Sequence, residues 1–173
     1  DEHPAALFDD YRRNCPFASV PDVPMHPWCS WPEGARYFES PDRRREMLSG
    51  YYAAVTAMDT NIGRVLDWLA AHNLRNDTLI VFTSDNGMNM GHHGIVGKGN
   101  GTSPLNMYET SVRVPTLISR PGHVPTGVVN ADLLSHYDMF PTLLEYAGIT
   151  FDSDVHLPGR SFAPLLRGEP LPA

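Results

Sequence analysis

The chain has 173 residues, 42% of them hydrophobic and 19% charged, which is the composition of a globular domain and not of a disordered segment. Its formal charge of −7 argues against a nucleic-acid surface, and no run of about 18 apolar residues offers a membrane span. The sequence starts at Asp1 without methionine or signal peptide, so it reads as a processed or excised piece. Cys15 and Cys29 are the only cysteines, and one disulfide or two thiols are both open.

Residues 1–41 are dense in proline and aromatic side chains. Proline removes backbone donors, so a loop that buries its rings on a surface is expected there, followed by a second segment over 42–173. Ser40-Pro41-Asp42 is a helix start: an N-cap serine, proline at the first position and an acid in the first turn. Leu48, Tyr51, Tyr52, Val55, Met58, Ile62, Val65, Leu66 and Leu69 recur every three or four residues, which predicts a long amphipathic helix to about Ala71. Arg43, Arg44 and Arg45 read as a solvated face, and Gly63 as a point of close packing.

Residues 79–83 are apolar or β-branched and predict a short, fully buried strand. It breaks at Ser84-Asp85-Asn86-Gly87. Asp-Asn-Gly is ordinary turn chemistry, but a carboxylate and an amide at the end of a strand also offer the hard oxygens that Ca²⁺ or Mg²⁺ take. A glycine-rich stretch follows to residue 113, carrying His92, His93 and Lys98; a loop of that length in a compact domain is usually functional. A second buried strand is expected over 114–119. Ser135 and Asp138 form a capping box for a helix that ends at Gly148, and Phe162, Leu165 and Leu166 mark a short packed turn or helix. The alternation of helix and strand indicates an α/β layered fold.

Several of these stretches together resemble one family. Phe82-Thr83-Ser84-Asp85-Asn86-Gly87, His93-Gly94, Gly97-Lys98, the run Tyr108-Glu109-Thr110-Ser111-Val112-Arg113-Val114-Pro115, and Pro141-Thr142-Leu143-Leu144 with Gly148 are similar, in that order, to the later part of a sulfatase. Tyr52, Asp59-Xaa-Xaa-Ile62-Gly63 and Gly159-Arg160-Ser161-Phe162 extend the likeness over about residues 46–168. The resemblance implies a fragment of an alkaline-phosphatase-like layered sheet with flanking helices. It implies Asp85 and Asn86 as ligands of Ca²⁺ (or Mg²⁺) and Lys98 as the contact to sulfate. His92 and His93 read, from histidine chemistry, as lining the substrate pocket or shuttling a proton, with a hydrogen bond that caps the loop as the alternative for one of them.

Asn86 separates this family from two-zinc relatives, where histidine tends to stand after the aspartate; amide oxygen suits a hard cation and imidazole suits zinc. The Cys/Ser-Xaa-Pro-Xaa-Arg stretch that yields the formylglycine nucleophile is absent, since Cys15-Pro16-Phe17-Ala18-Ser19 lacks its spacing and arginine. Formylglycine is therefore expected in a missing N-terminal part, and the chain by itself is expected to be inactive and prone to self-association. The implied substrate is a sulfated small molecule or glycan, and the implied location is periplasmic, lysosomal or extracellular. A phosphoester or phosphonate hydrolase of the same superfamily and a non-catalytic binding module are the alternatives. Glu109 and Arg113 read as a structural pair, Asn100 and Asn106 as solvated loop residues with contact to a sugar hydroxyl as the alternative, and Asn76-Asp77-Thr78 and Asn100-Gly101-Thr102 match the N-glycosylation triplet.

Overall fold

The computed structural model describes residues 4–14, 20, 22–27, 32–99, 102, 105–150 and 156–171, so Cys15, Cys29 and Asn100 lie outside the described residues. Helices α1 (Pro4–Asn14), α2 (Pro32–Glu39) and α3 (Pro41–Ala71) lead into strand β1 (Ile80–Phe82). Strands β2 (Asn89–Met90) and β3 (Val96–Gly97) flank a single 3₁₀ turn at His92–Gly94. Helix α4 (Glu109–Val112), strand β4 (Leu117–Ser119), and helices α5 (His136–Tyr146) and α6 (Ala163–Leu166) complete the chain. It divides into two compact units, one of residues 1–69 with 86–115, the other of residues 70–85 with 116–173.

In the first unit, the expected loop over 1–41 is corrected: α1 and α2 are regular helices. Pro4, Pro32 and Pro41 each stand at the first position of a helix, where the missing N–H would be unpaired anyway. Proline density there marks helix starts. Helix α3 has the expected bounds, and the Ser40 hydroxyl accepts from Arg43 N at 3.2 Å as its cap. Its N-terminal half buries Leu48 and Ala53, whereas Val65 and Trp68 are more than half exposed. Gly63 does not serve close packing, because a Cβ there would meet nothing within 4 Å.

The core of this unit is Val20, Tyr37, Leu48, Met90 and Val96, with Phe38, Met47 and Tyr52 packed against it. Arg44 departs from its expected solvated role. Its guanidinium donates to Val20 O at 2.7 Å and to Tyr37 Oη at 3.1 Å, and it pairs with Asp22. Tyr37 in turn donates to Met90 O at 3.1 Å. Burial pushes the Tyr37 hydroxyl above its ordinary pKa, against the opposing pull of Arg44, so it stays a neutral donor.

In the second unit, β1 pairs antiparallel with β4 in the register Ile80↔Ser119, Val81↔Ile118 and Phe82↔Leu117. Neither strand is fully buried: β1 is half-buried throughout and Leu117 is 64% exposed. With two strands in the sheet, apolar side chains on its faces stay open to solvent.

Helix α5 carries the expected capping box and ends at Gly148, whose φ of 69° is the left-handed cap position. Asp138 does more than cap. Its carboxylate accepts from Ser135 N at 2.7 Å and from Arg160 N at 2.8 Å, tying the 156–162 segment to the helix start. Thr142 relays the tie by donating to Asp138 O at 2.6 Å and accepting from Phe162 N at 2.9 Å. Pro141 offers no N–H to Tyr137 O, and Gly159 lies so close that a Cβ would fall 2.0 Å from that carbonyl.

Burial raises the Asp138 carboxyl, but the backbone N–H groups of Arg160 and Ser135 outweigh it and hold it below its ordinary value of 3.8. A carboxyl lowered in the folded state contributes stability above its unfolded pKa and loses it as pH falls through the folded value. We therefore expect acid unfolding of the protein to steepen below about pH 4, and Asp138→Asn to flatten that slope while lowering stability at pH 7 by about 1 kcal/mol. Circular-dichroism titration of both proteins from pH 7 to pH 2 measures this, and parallel acid limbs would contradict it.

Candidate functional site

Strand β1 gives way at Thr83, whose hydroxyl meets that of Thr116 at 3.0 Å. His136 Nε2 lies 2.7 Å from Ser84 O, holding the chain at the residue before Asp85. Asp85 is exposed, and the Ser84 hydroxyl approaches its Oδ1 at 3.5 Å. Asn86 is half-buried, and its Nδ2 donates to Gly87 O at 2.9 Å, which turns Oδ1 to the opposite side of the amide. A carboxylate and an amide oxygen are the donor chemistry of a hard cation. They are two donors where Ca²⁺ takes six to eight, and among the described residues no group of three or more His, Cys, Asp or Glu is placed to hold a metal.

From Gly87 onward the chain is locked. Gly87 N donates to Ser111 O at 3.0 Å, and a Cβ on Gly87 would fall 2.2 Å from Thr110 O, so only glycine allows this approach. The hairpin of β2 and β3 follows in the register Asn89↔Gly97 and Met90↔Val96. Asn89 is fully buried at its base. Its amide donates to Ser111 Oγ at 2.7 Å and accepts from Thr110 Oγ1. Ser111 passes the chain of hydrogen bonds to Asn106 Oδ1, Asn106 Nδ2 donates to Thr102 Oγ1 at 3.0 Å, and Thr102 donates to Gly99 O at 3.3 Å. Asn106 N also donates to Gly99 O at 3.1 Å.

Lys98 sits between the two pinned glycines, Gly97 paired to Asn89 and Gly99 held by Asn106. Its side chain is exposed and makes no ion pair among the described residues. The backbone is fixed and the ammonium is open to an anion. The expectation for Asn106 is corrected: it belongs to the network under Lys98 and is half-buried. Glu109 and Arg113 form an exposed pair at 3.6 Å, in keeping with a structural role.

His92 and His93 occupy the tip of the same hairpin. Met90 N lies 3.4 Å from His92 Nδ1, a long local hydrogen bond. His93 has the left-handed φ of 58° and stacks on Tyr108 with ring centres 3.8 Å apart. A non-glycine residue held in that region is strained, and such strain gathers at binding sites. Both imidazoles line a cavity of about 570 Å³ whose other wall is the segment 23–27. Sequence reasoning missed that wall, including His26, and missed Asn89, Thr110 and Ser111. Asn89 and Ser111 meet across 22 residues without a periodic signal to join them.

The sulfatase family model matches residues 18–149. The chain is 34% identical over 125 residues to an N-acetylglucosamine-6-O-sulfatase of Bacteroides thetaiotaomicron, covering 72% of this chain and 21% of that protein. It is 35% identical over 145 residues to the steryl-sulfatase of Mus musculus, covering 77% and 23%. Among solved structures, one determined in complex with its substrate D-glucosamine-2-N,6-O-disulfate superposes with a TM-score of 0.66 at 32% identity, covering 76% of this chain and 26% of that one. A phosphonate monoester hydrolase from Silicibacter pomeroyi superposes with a TM-score of 0.66 at 30% identity, covering 76% and 24%. The chain thus spans about a quarter of the length of the proteins it matches. Its fold is part of the alkaline-phosphatase-like α/β architecture, and the chain belongs to the sulfatase family.

Proposed function

We propose that this chain supplies part of the active site of an enzyme that hydrolyses sulfate esters of a carbohydrate alcohol. Asp85 and Asn86 provide two oxygens to Ca²⁺, and Lys98 contacts the sulfate. The observation that carries this reading is the clamped backbone of Lys98, exposed and unpaired among the described residues, on the loop that follows Asp85-Asn86. When bound, the cation supplies fixed positive charge beside the sulfate oxygens. Lys98 donates N–H to those oxygens and stabilises the charge that grows as the S–O bond to the alcohol breaks. His92 and His93 are candidates to hold the alcohol or to move its proton, since a neutral imidazole both donates and accepts. The formylglycine nucleophile and the remaining calcium ligands come from other parts of the whole protein. Export to the periplasm, lysosome or exterior follows from the same reading.

Hydrolysis of a phosphonate monoester is the second reading, favoured by the likeness to the Silicibacter pomeroyi enzyme. Asn86 speaks for a hard cation in either case and against a pair of zinc ions. For the full-length protein, we expect Asn86→Ala to weaken calcium binding by about tenfold, because one charged-site oxygen is lost. Calcium titration by calorimetry reads this directly, and unchanged affinity would remove Asn86 from the site.

The isolated chain exposes Val129 at 95%, Leu133 at 93% and Trp68 at 54%. Apolar surface of this kind favours association. We expect the isolated chain to self-associate and to turn over no aryl sulfate. A monodisperse monomer in analytical ultracentrifugation, or turnover by that chain, would contradict this.

A further inference from the structure

We propose that His136 is a positioning residue for Asp85: it fixes the peptide plane from which the Asp85 carboxylate is presented. This rests on the reading of Asp85 as a ligand of Ca²⁺ given above. The ladder between β1 and β4 ends at the pair Phe82↔Leu117, and Asp85 follows only after Thr83 and Ser84. Two ties continue where the ladder stops. The hydroxyls of Thr83 and Thr116 meet at 3.0 Å, and the Ser84 carbonyl accepts from His136 Nε2 at 2.7 Å. A carbonyl has no proton to give, so the imidazole is the donor and carries a hydrogen on Nε2. This second tie bears directly on Asp85. A peptide unit is planar, so a bond that fixes Ser84 O also fixes Asp85 N and Cα. The threonine tie acts through side chains at the preceding residue and does not act on that plane.

His136 stands on a braced base. It is the first residue of α5, where Ser135 and Asp138 form the capping box. The Asp138 carboxylate also accepts from Arg160 N at 2.8 Å, so the helix start is tied to a second segment. An imidazole rooted there reaches Ser84 from a fixed point. His136 is exposed, and an exposed side chain of this kind contributes little to folding. Its service to the strand end is therefore separable from support of the fold. Groups that orient a metal ligand from behind commonly account for about ten- to a hundredfold in metal affinity.

The experiment is calorimetric titration of the full-length protein and its His136→Ala and His136→Gln variants with calcium chloride, alongside thermal melts. His136→Ala is expected to bind calcium about tenfold more weakly, with Tm lowered by no more than a few degrees. His136→Gln keeps an N–H for the same carbonyl and is expected to recover affinity to within about threefold of the unaltered protein. Unchanged affinity in His136→Ala overturns the assignment and leaves Asp85 in place as a ligand. Equal weakening in both variants overturns it too, because the bond to Ser84 O is then not the cause; a matching fall in Tm would assign His136 to the fold alone. An unaltered full-length protein that binds no calcium removes the calcium reading itself, and the role of His136 falls with it.

Discussion

Lys98→Ala is expected to lower kcat for sulfate-ester hydrolysis by the full-length protein by about a hundredfold to a thousandfold, the usual cost of removing one preorganised donor from a developing oxyanion. The side chain is exposed and makes no ion pair among the described residues, so its removal leaves folding intact. The backbone on both sides is pinned, Gly97 in the hairpin and Gly99 beneath Asn106, so the ammonium samples a small region and little is lost in reorganising it. Lys98→Arg restores charge but not the compact point donor, and it recovers only part of the rate. Steady-state kinetics on a sugar sulfate, with thermal melts to confirm folding, read the effect. A kcat within threefold of the parent would take Lys98 out of the reaction.

The second large effect is at Asn89. Its amide is fully buried and is the first link in the chain that runs through Ser111, Asn106 and Thr102 to Gly99. Asn89→Ala leaves the hydroxyls of Ser111 and Thr110 without their amide partner inside the fold. Buried polar groups stripped of a partner cost about 1–3 kcal/mol each, so a loss of about 3 kcal/mol is expected, seen as a fall in Tm on the order of 10 °C. Because the network also pins Gly99 beside Lys98, kcat should fall about tenfold at temperatures where the variant is still folded. A variant that lost stability but kept its full rate would show that the network supports the fold and not the lysine.

What the sequence revealed follows from which interactions are local. Helix α3 and the capping box of α5 were legible because cap, period and stop signal lie within a few residues of one another. The family was legible through the order of its motifs, and the glycines among them have a structural need: Gly87 and Gly94 admit backbone carbonyls that a Cβ would strike. The helices at 4–14 and 32–39 are hidden in the sequence because proline breaks a helix interior, whereas here it stands at their first positions. The role of Arg44 is not legible in the sequence, because nothing local shows that Val20 O lies within its reach, 24 residues away. The 23–27 segment meets the hairpin at His26 N→Gly94 O and at the close approach of Gly94 to Pro24 O, and neither leaves a mark in side-chain pattern.

The central claim is sulfate-ester chemistry with a hard cation. Its most direct test is the turnover of 4-nitrophenyl sulfate against 4-nitrophenyl phenylphosphonate by the full-length protein, with calcium and then with calcium removed by chelation. We expect kcat/KM for the sulfate at least about a hundredfold above that for the phosphonate, a difference of roughly 2.7 kcal/mol in transition-state stabilisation, and loss of that activity on chelation with recovery on returning calcium. Equal or faster phosphonate cleavage, or an activity restored by zinc and not by calcium, would contradict it.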